Sequence, residues 1–470
     1  MCFRFPLGIA ALAAVLASAT AVGAQTPAGR PFERRDAYVL AFTAPYQTIR
    51  LDVGENPIST DFVVEAKLHP GTVIEDARGK PVGPEAIVPG MEVAVRGEAG
   101  PGGAVVSSLR LRTRLESWAG EADGILERVE GGAAVIEGRR VVMAEGRSVA
   151  GEGAWRRRTF ATFAEIPLGS WVELRGRRGA DGTLVADQGK ARPNEYSGTE
   201  REIHEALRRG LVPPPAAQLS GGRMKIGAQE YRLVRDRALQ AYVTRVGTRL
   251  IPRWMDELAE TDPAKITFRF YVIEDSTFNA AAYPDGTVII HTGLLRVIAN
   301  EAQLVAVLGH EIGHVTHEHG RRRLEDHRNR AVGGLVLGAV LSQVGGNGDG
   351  RAAMELAAEL GLGAMANSYS RDHESQADRV GLAYMVTAGY DPREAAAVWR
   401  RLAEETRPSN ALAGALQRAE TFLFSSHPAA LSRVRNINRE IAANYSTLDF
   451  ARLRTGEAEY RRAIAGLGRR

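Results

Sequence analysis

The sequence predicts a multidomain α+β protein, with an N-terminal all-β module, either a small barrel or a sandwich, and then a mostly α domain with a small sheet. Three observations predict it. The 470 residues are 44% hydrophobic and 25% charged, a composition that fits a globular chain of two or three units of roughly 100 to 200 residues each. Residues 36–193 show short alternating apolar runs with Gly and Pro every eight to twelve residues or so, which is the rhythm of strands and tight turns. Beyond Pro215 the apolar spacing becomes helical, as in Leu233, Leu239, Val243, Val246 and Leu250.

The formal net charge of +4 is the difference between 60 basic and 56 acidic residues. With no long single-sign block, nucleic acid is excluded as a partner. The single cysteine, Cys2, excludes a disulfide framework and a cysteine-based metal site, so any metal must rest on His, Asp and Glu. After Arg4, residues 5–28 carry no charge and centre on an Ala/Leu/Val-rich stretch, with Val22-Gly23-Ala24 at its end. This predicts a signal peptide over 1–24, cleaved near Ala24, and an exported, periplasmic or envelope-associated protein. A membrane anchor is the alternative, but the apolar centre is shorter than the ~20 residues a spanning helix needs.

Within the β-rich module at 36–193, residues 86–97 (AIVPGMEVAVRG) align without gaps on 165–176 (EIPLGSWVELRG). Two copies of one hairpin unit would close or stack into a barrel or sandwich, because a lone hairpin cannot bury its apolar face. The module's role is open between a spacer and a partner-binding unit. A polar stretch and Pro213-Pro214-Pro215 make 194–220 a connecting segment. The second folded unit then spans 221–445, and 446–470 forms a C-terminal tail.

In the second unit, Asn279-Ala280-Ala281-Ala282-Tyr283-Pro284-Asp285-Gly286 turns into the alternating strand 287–291. The strand 287–291 is expected at the edge of the sheet beside a cleft, where its backbone can pair with an extended peptide, and Asn279, Ala280 and Ala281 before it are substrate-strand candidates.

Seven of the ten histidines, His310, His314, His317, His319, His327, His373 and His427, fall within 310–427. The centre of this cluster is His310-Glu311-Ile312-Gly313-His314, in a segment apolar on most sides and therefore buried. Burying two imidazoles and a carboxylate costs free energy unless something satisfies them, and a divalent metal does so. The i, i+4 spacing puts both rings on one helix face, so each can offer a nitrogen to one zinc ion, with Glu311 beside the metal and not forced to bind it. A third histidine at 320 is excluded by Gly320. His317 lies roughly 10 Å from His310 along the axis, so His317 and His319 are read as outer partners or surface residues. The third ligand is expected from Glu374-Ser375-Gln376-Ala377-Asp378, where two carboxylates share a face: one can bind the metal while the other accepts the outer N–H of a ligating histidine. His373 competes, set about 100° from Glu374 on the same helix. Two His, one carboxylate and an open position make a catalytic zinc site with one Zn²⁺ per chain.

Together, the 310–314 motif, the 374–378 motif, the 279–286 strand and Ser426-His427-Pro428 followed by Arg433 resemble the HtpX/BepA type of zinc metalloprotease, relatives of the CAAX prenyl proteases, over roughly 215–443. The resemblance implies a gluzincin-like fold, with His310, His314 and Glu374 as metal ligands, Glu311 as general base and Asp378 as outer partner of a ligand. It places His427 near the metal as a transition-state donor or a gate, supported by Arg433. It also implies polypeptide substrates and envelope protein quality control. The chain departs from the family in lacking recognisable membrane-spanning helices and a tetratricopeptide array, and the β-rich half lies outside the resemblance.

Residues 331–350, apolar and glycine-rich, join the two metal-bearing helices and are expected to form a core helix, a lid or a membrane-surface contact. An envelope-protein contact is a further partner expectation, and the oligomeric state is left open. Two rival functions remain: a zinc-dependent chaperone or assembly factor with a latent site, and a non-enzymatic binding protein acting through the β-rich half.

Overall fold

The structure is a computed structural model that describes residues 30–43, 47–54, 63–100, 103–112, 119–179, 183–194, 222–226, 229–260, 262, 265–320, 369–405 and 430–467. The expected signal peptide, most of the connecting segment, residues 331–350 and His427 lie outside the described residues.

The all-β half is two closed barrels built on one plan. In the first, β1 (Arg30–Thr43), β2 (Thr48–Asp52), β3 (Val63–Glu75), β4 (Glu92–Gly100) and β5 (Gly103–Leu111) close in the order β1-β2-β3-β5-β4. Neighbours are antiparallel except for the parallel pair β3–β5. Alternate residues point inward, as the period of two requires, so Val39, Leu51, Val64, Val93, Val95, Val106 and Leu111 fill the interior. Each such residue contributes about 1.5–3 kcal/mol of apolar burial.

The second barrel repeats the path with β6 (Ala119–Glu130), β7 (Ala133–Ile136), β8 (Arg139–Met143), β11 (Trp171–Arg178) and β12 (Leu184–Arg192). Among these five strands the parallel pair is β8–β12, which closes the barrel. The short strands β9 (Val149–Gly151) and β10 (Thr159–Phe160) extend the sheet beside β12. The internal match read from sequence is therefore a duplicated barrel, and one detail shows how close the copies are. Both carry a bulge at the same place: Arg96 faces Ser108 while Gly97 faces Val106, and Arg175 faces Gln188 while Gly176 faces Ala186. A Cβ on Gly97 would lie 2.2 Å from the Val105 carbonyl oxygen, and one on Gly176 2.0 Å from that of Val185. Only glycine fits either bulge. Beyond the loop the registers of the two copies differ by one residue: Gly97 faces a residue nine positions on and Gly176 one ten positions on.

After the hairpin β13 (Arg223–Ile226) and β14 (Gln229–Arg232) comes the mainly helical unit. Its helices are α1 (Arg237–Thr248), α2 (Arg253–Glu257), α3 (Thr292–Val297), α4 (Glu301–Thr316), α5 (Arg371–Thr387), α6 (Arg393–Glu405), α7 (Ala430–Asn444) and α8 (Glu457–Ile464). Its sheet orders β15 (Arg269–Ile273), β17 (Thr287–His291) and β16 (Ala280–Ala282), so the strand 287–291, expected at an edge, is the central one, paired on both sides, and β16 lies at an edge instead. Every residue of α4 is buried, which explains why its sequence is apolar all round. The Asn300 side chain caps its first turn through the Gln303 N–H at 2.9 Å. From the C-terminal stretch, α8 buries Tyr460 completely in the same core.

The barrels and the helical unit are locked together. Ile125 and Trp171 of the second barrel belong to the helical unit's hydrophobic core, beside Trp254 and Leu250. On α7, Arg435 and Arg439 bind Asp52 of the first barrel, while Glu440 pairs with Arg139 and Asn444 with Arg178 of the barrels' second copy.

Candidate metal centre

Helices α4 and α5 cross where both have small residues. A Cβ on Gly381 would sit 2.9 Å from the His310 backbone nitrogen, and Gly309 and Gly313 face Gly381 and Ala377. This close approach brings the carboxylates of α5 against the imidazoles of α4.

His310 and His314 present their Nε2 atoms to each other at 3.0 Å. Glu374 completes the group, with Oε2 3.5 Å from His310 Nε2 and Oε1 3.6 Å from His314 Nε2. One ligand atom from each lies within 4.8 Å of the others, and all three side chains are buried. The outer nitrogens are engaged elsewhere: His310 Nδ1 is 3.0 Å from Asp378 Oδ1, and His314 Nδ1 is 2.8 Å from His319 Nδ1. Arg433 Nη2, a donor, also lies 2.9 Å from His310 Nδ1 and 3.3 Å from its Nε2. With the ring protons on the outer nitrogens, as metal ligation requires, two imidazole lone pairs and a carboxylate face one another. Such a set of acceptors repels itself unless a cation lies between them, and two imidazoles with one carboxylate suit a divalent ion of the zinc class. Burial, with the Arg433 charge adding to it, lowers the His310 pKa to about 4, which keeps the ring neutral and able to ligate.

The surrounding residues fix this geometry. Burial opposes the charge of Asp378, but Arg433 and His310 outweigh it and hold the carboxyl well below the usual carboxylate range. Arg433, from α7, binds Asp378 through Nε at 3.0 Å and through Nη2, and its Nη1 reaches Glu374 Oε2 at 3.4 Å. Its guanidinium lies over the Trp399 ring of α6, 3.5 Å from the centroid, and Trp399 meets His310 edge-on. Tyr369 stacks on the His314 ring at 4.0 Å.

Glu311, between the two histidines, accepts the Ala282 N–H at 2.9 Å through Oε2. That bond ties it to β16, the edge strand, where Asn279, Ala280 and Ala281 are buried. His373 does not join the ligand group; its ring stacks on His319 at 4.5 Å. His317 and His319 are not surface residues but fully buried. His317 hydrogen-bonds Thr316 and meets Trp171 of the second barrel edge-on, 6.2 Å between centroids.

Of the two readings for His319, outer partner or surface residue, the first holds, since it meets His314 Nδ1; sequence reasoning missed how Gln376, Tyr369 and Trp399 serve this site. His319 could not be placed by helical spacing because α4 ends at Thr316 and Glu318 adopts a left-handed φ of 54°, which turns the chain back toward His314. Gln376 carried a usable signal, lying on α5 between two carboxylates already singled out. Tyr369 and Trp399 reach the site only through the tertiary arrangement.

Residues 237–441 match peptidase family M48. The chain is 31% identical over 182 residues to the beta-barrel assembly-enhancing protease of Yersinia pestis, covering 37% of this chain and 35% of that protein. It is 31% identical over 188 residues to the beta-barrel assembly-enhancing protease of Escherichia coli K12, covering 38% and 35%. It is also 30% identical over 201 residues to the mitochondrial metalloendopeptidase OMA1 of Schizosaccharomyces pombe, covering 42% and 51%. The chain thus spans from about a third to about half of the length of these relatives. The M48 match begins within the helical unit and leaves both β-barrels outside it. The match to peptidase family M48 thus falls on the helical unit that carries the metal centre, behind a duplicated β-barrel, and agrees with the HtpX/BepA-type resemblance read from the sequence.

Proposed function

We propose that the protein is a zinc metalloendopeptidase of the cell envelope, acting on polypeptides in envelope protein quality control. The observation that carries this reading is the convergence of His310, His314 and Glu374 from two helices onto one buried point, with Glu311 beside them. His310, His314 and Glu374 would hold one Zn²⁺. Bound there, zinc would supply a Lewis acid that makes water nucleophilic near neutral pH.

The chain's own residues do the rest. Glu311 takes the proton of the attacking water on its carboxylate and returns it to the leaving amine, steadied by the Ala282 N–H on Oε2. Asp378 holds the outer nitrogen of His310, and Arg433 braces Asp378 and Glu374 together. The edge strand at Asn279, Ala280 and Ala281 offers a place for an extended substrate beside Glu311. His427 is proposed as the donor to the developing oxyanion, from the family resemblance alone. An exported, periplasmic location is part of this proposal, supported by the uncharged, Ala/Leu/Val-rich composition of residues 5–24. Among the described residues, no helix is long and apolar enough to cross a membrane.

The test is Glu311→Gln. The variant should keep zinc, read by metal analysis, and lose casein cleavage by at least two orders of magnitude. Full peptidase activity in that variant would defeat the mechanism, and a zinc-free wild type would defeat the metal assignment.

A further inference from the structure

A line of hydrogen bonds leaves the metal centre, crosses α5 and ends in the second barrel. His314 Nδ1 lies 2.8 Å from His319 Nδ1, and His319 Nε2 lies 2.9 Å from Gln376 Oε1. Gln376 Nε2 donates to Glu137 Oε1, and Glu137 Oε2 accepts from Arg379 Nε at 2.9 Å. Glu137 is 1% exposed, adopts a left-handed φ of 50°, and occupies space left by Gly124, where a Cβ would lie 2.7 Å from Glu137 Cγ.

The polarity of this line is set from the barrel end. A carboxylate only accepts, so Gln376 must turn its NH₂ toward Glu137 and its carbonyl oxygen toward His319. His319 must then carry its proton on Nε2 and offer a lone pair at Nδ1. His314, facing that lone pair, must carry its proton on Nδ1, which frees Nε2 for a metal. Each link has one orientation that satisfies its neighbours, and these orientations follow from Glu137, with the Asp123 carbonyl oxygen, 3.4 Å from Gln376 Nε2, as a second and longer acceptor for the same NH₂ group.

We propose that Glu137 is a positioning residue for the metal centre, fixing the tautomer and ring orientation of the ligand His314 through Gln376 and His319. A residue of the appended β-barrel, 100 positions before the M48 match begins, thereby sets the zinc affinity of the peptidase domain. The proposal rests on the metal-binding reading of His310, His314 and Glu374.

The experiment measures zinc affinity of the full-length protein, stripped of metal and titrated against a fluorescent zinc chelator. Four variants are compared with wild type: Glu137→Ala, Gln376→Met, the double variant, and Glu440→Gln as a control. Glu440 pairs with Arg139 at the same interface but lies off the line. Outer partners of metal-bound histidines typically change affinity 10- to 100-fold, so Glu137→Ala and Gln376→Met should each weaken zinc binding about tenfold. The double variant should lose no more than the larger single loss, because both residues act through one line. Glu440→Gln should lower the melting temperature and weaken zinc binding far less than Glu137→Ala does. Wild-type affinity in Glu137→Ala, additive losses in the double variant, or an equal loss in Glu440→Gln would overturn the proposal. Failure of wild type to bind zinc would instead sink the metal site itself, and zinc binding without peptide cleavage would sink only the peptidase reading.

Discussion

Asp52 of the first barrel accepts a hydrogen bond from Arg435 of α7 at 3.0 Å, two residues along the helix from Arg433. Arg439 reaches the same carboxylate at 2.9 Å. Asp52 is 1% exposed, so the helix that brings Arg433 to Asp378 and Glu374 is moored to a β-barrel by one buried acid. Asp52→Ala removes the acceptor of two guanidinium groups and should cost about 1–3 kcal/mol, discounted because both arginines keep some contact with water. Thermal unfolding reads that loss. Peptide cleavage should fall with it, since α7 then holds Arg433 less firmly; an unchanged melting temperature would show that the mooring carries no stability.

The crossing of α4 and α5 depends on the absence of a side chain at Gly381, whose Cβ would press on the His310 backbone. Gly381→Ala must push the helices apart and carry Glu374 away from the imidazoles. The expected cost is about 1–3 kcal/mol, as for overpacking elsewhere, with zinc affinity reduced as well. Chelator competition together with a melting curve checks both effects, and a variant with native affinity would mean that the crossing has slack.

Glu127, in β6, is buried, and its Oε1 has no hydrogen-bond partner among the described residues. Burial, with Glu137 nearby, raises its pKa from 4.5 to about 8, against the opposing pull of Arg128 and the Glu137 backbone N–H. A raised folded-state pKa means that the folded form holds a proton the unfolded form has released. Stability from this group is therefore full below about pH 4.5 and declines as pH rises toward 8. Glu127→Gln removes this dependence, so its melting temperature should exceed that of wild type by more at pH 8 than at pH 5, with a gain of a few kcal/mol at most. A difference independent of pH would refute the assignment.

Chelation offers a further check. If zinc binds only the folded chain, 100-fold excess over its dissociation constant adds about 2.7 kcal/mol. Removing the ion should lower the melting temperature and abolish cleavage, and restoring zinc should recover both. Cleavage that persists after complete removal would contradict the proposed function.

Much of this architecture was legible from the chain. The strand rhythm and the 86–97/165–176 match announced a repeated β unit because the bulge glycines, Gly97 and Gly176, cannot vary in either copy. His310, His314, Glu374 and Asp378 could be picked out because helical periodicity is local and puts i, i+4 pairs on one face. What stayed hidden was set by other means. His319 is aimed by one left-handed residue, Glu318, and Trp399 meets His310 only because α6 crosses α4. Glu137 gave no signal, since nothing in a β-hairpin's own pattern says which helix its corner will touch.

The hydrophobic core ignores the border that the family match draws at residue 237. Trp171 and Ile125, from the second barrel, are packed among the helices as if they were native to them. A catalytic fragment trimmed to that border would leave a hole where an indole had been and lay bare the greasy wall around Trp254. The second barrel is thus part of the helical unit's own interior and not detachable luggage.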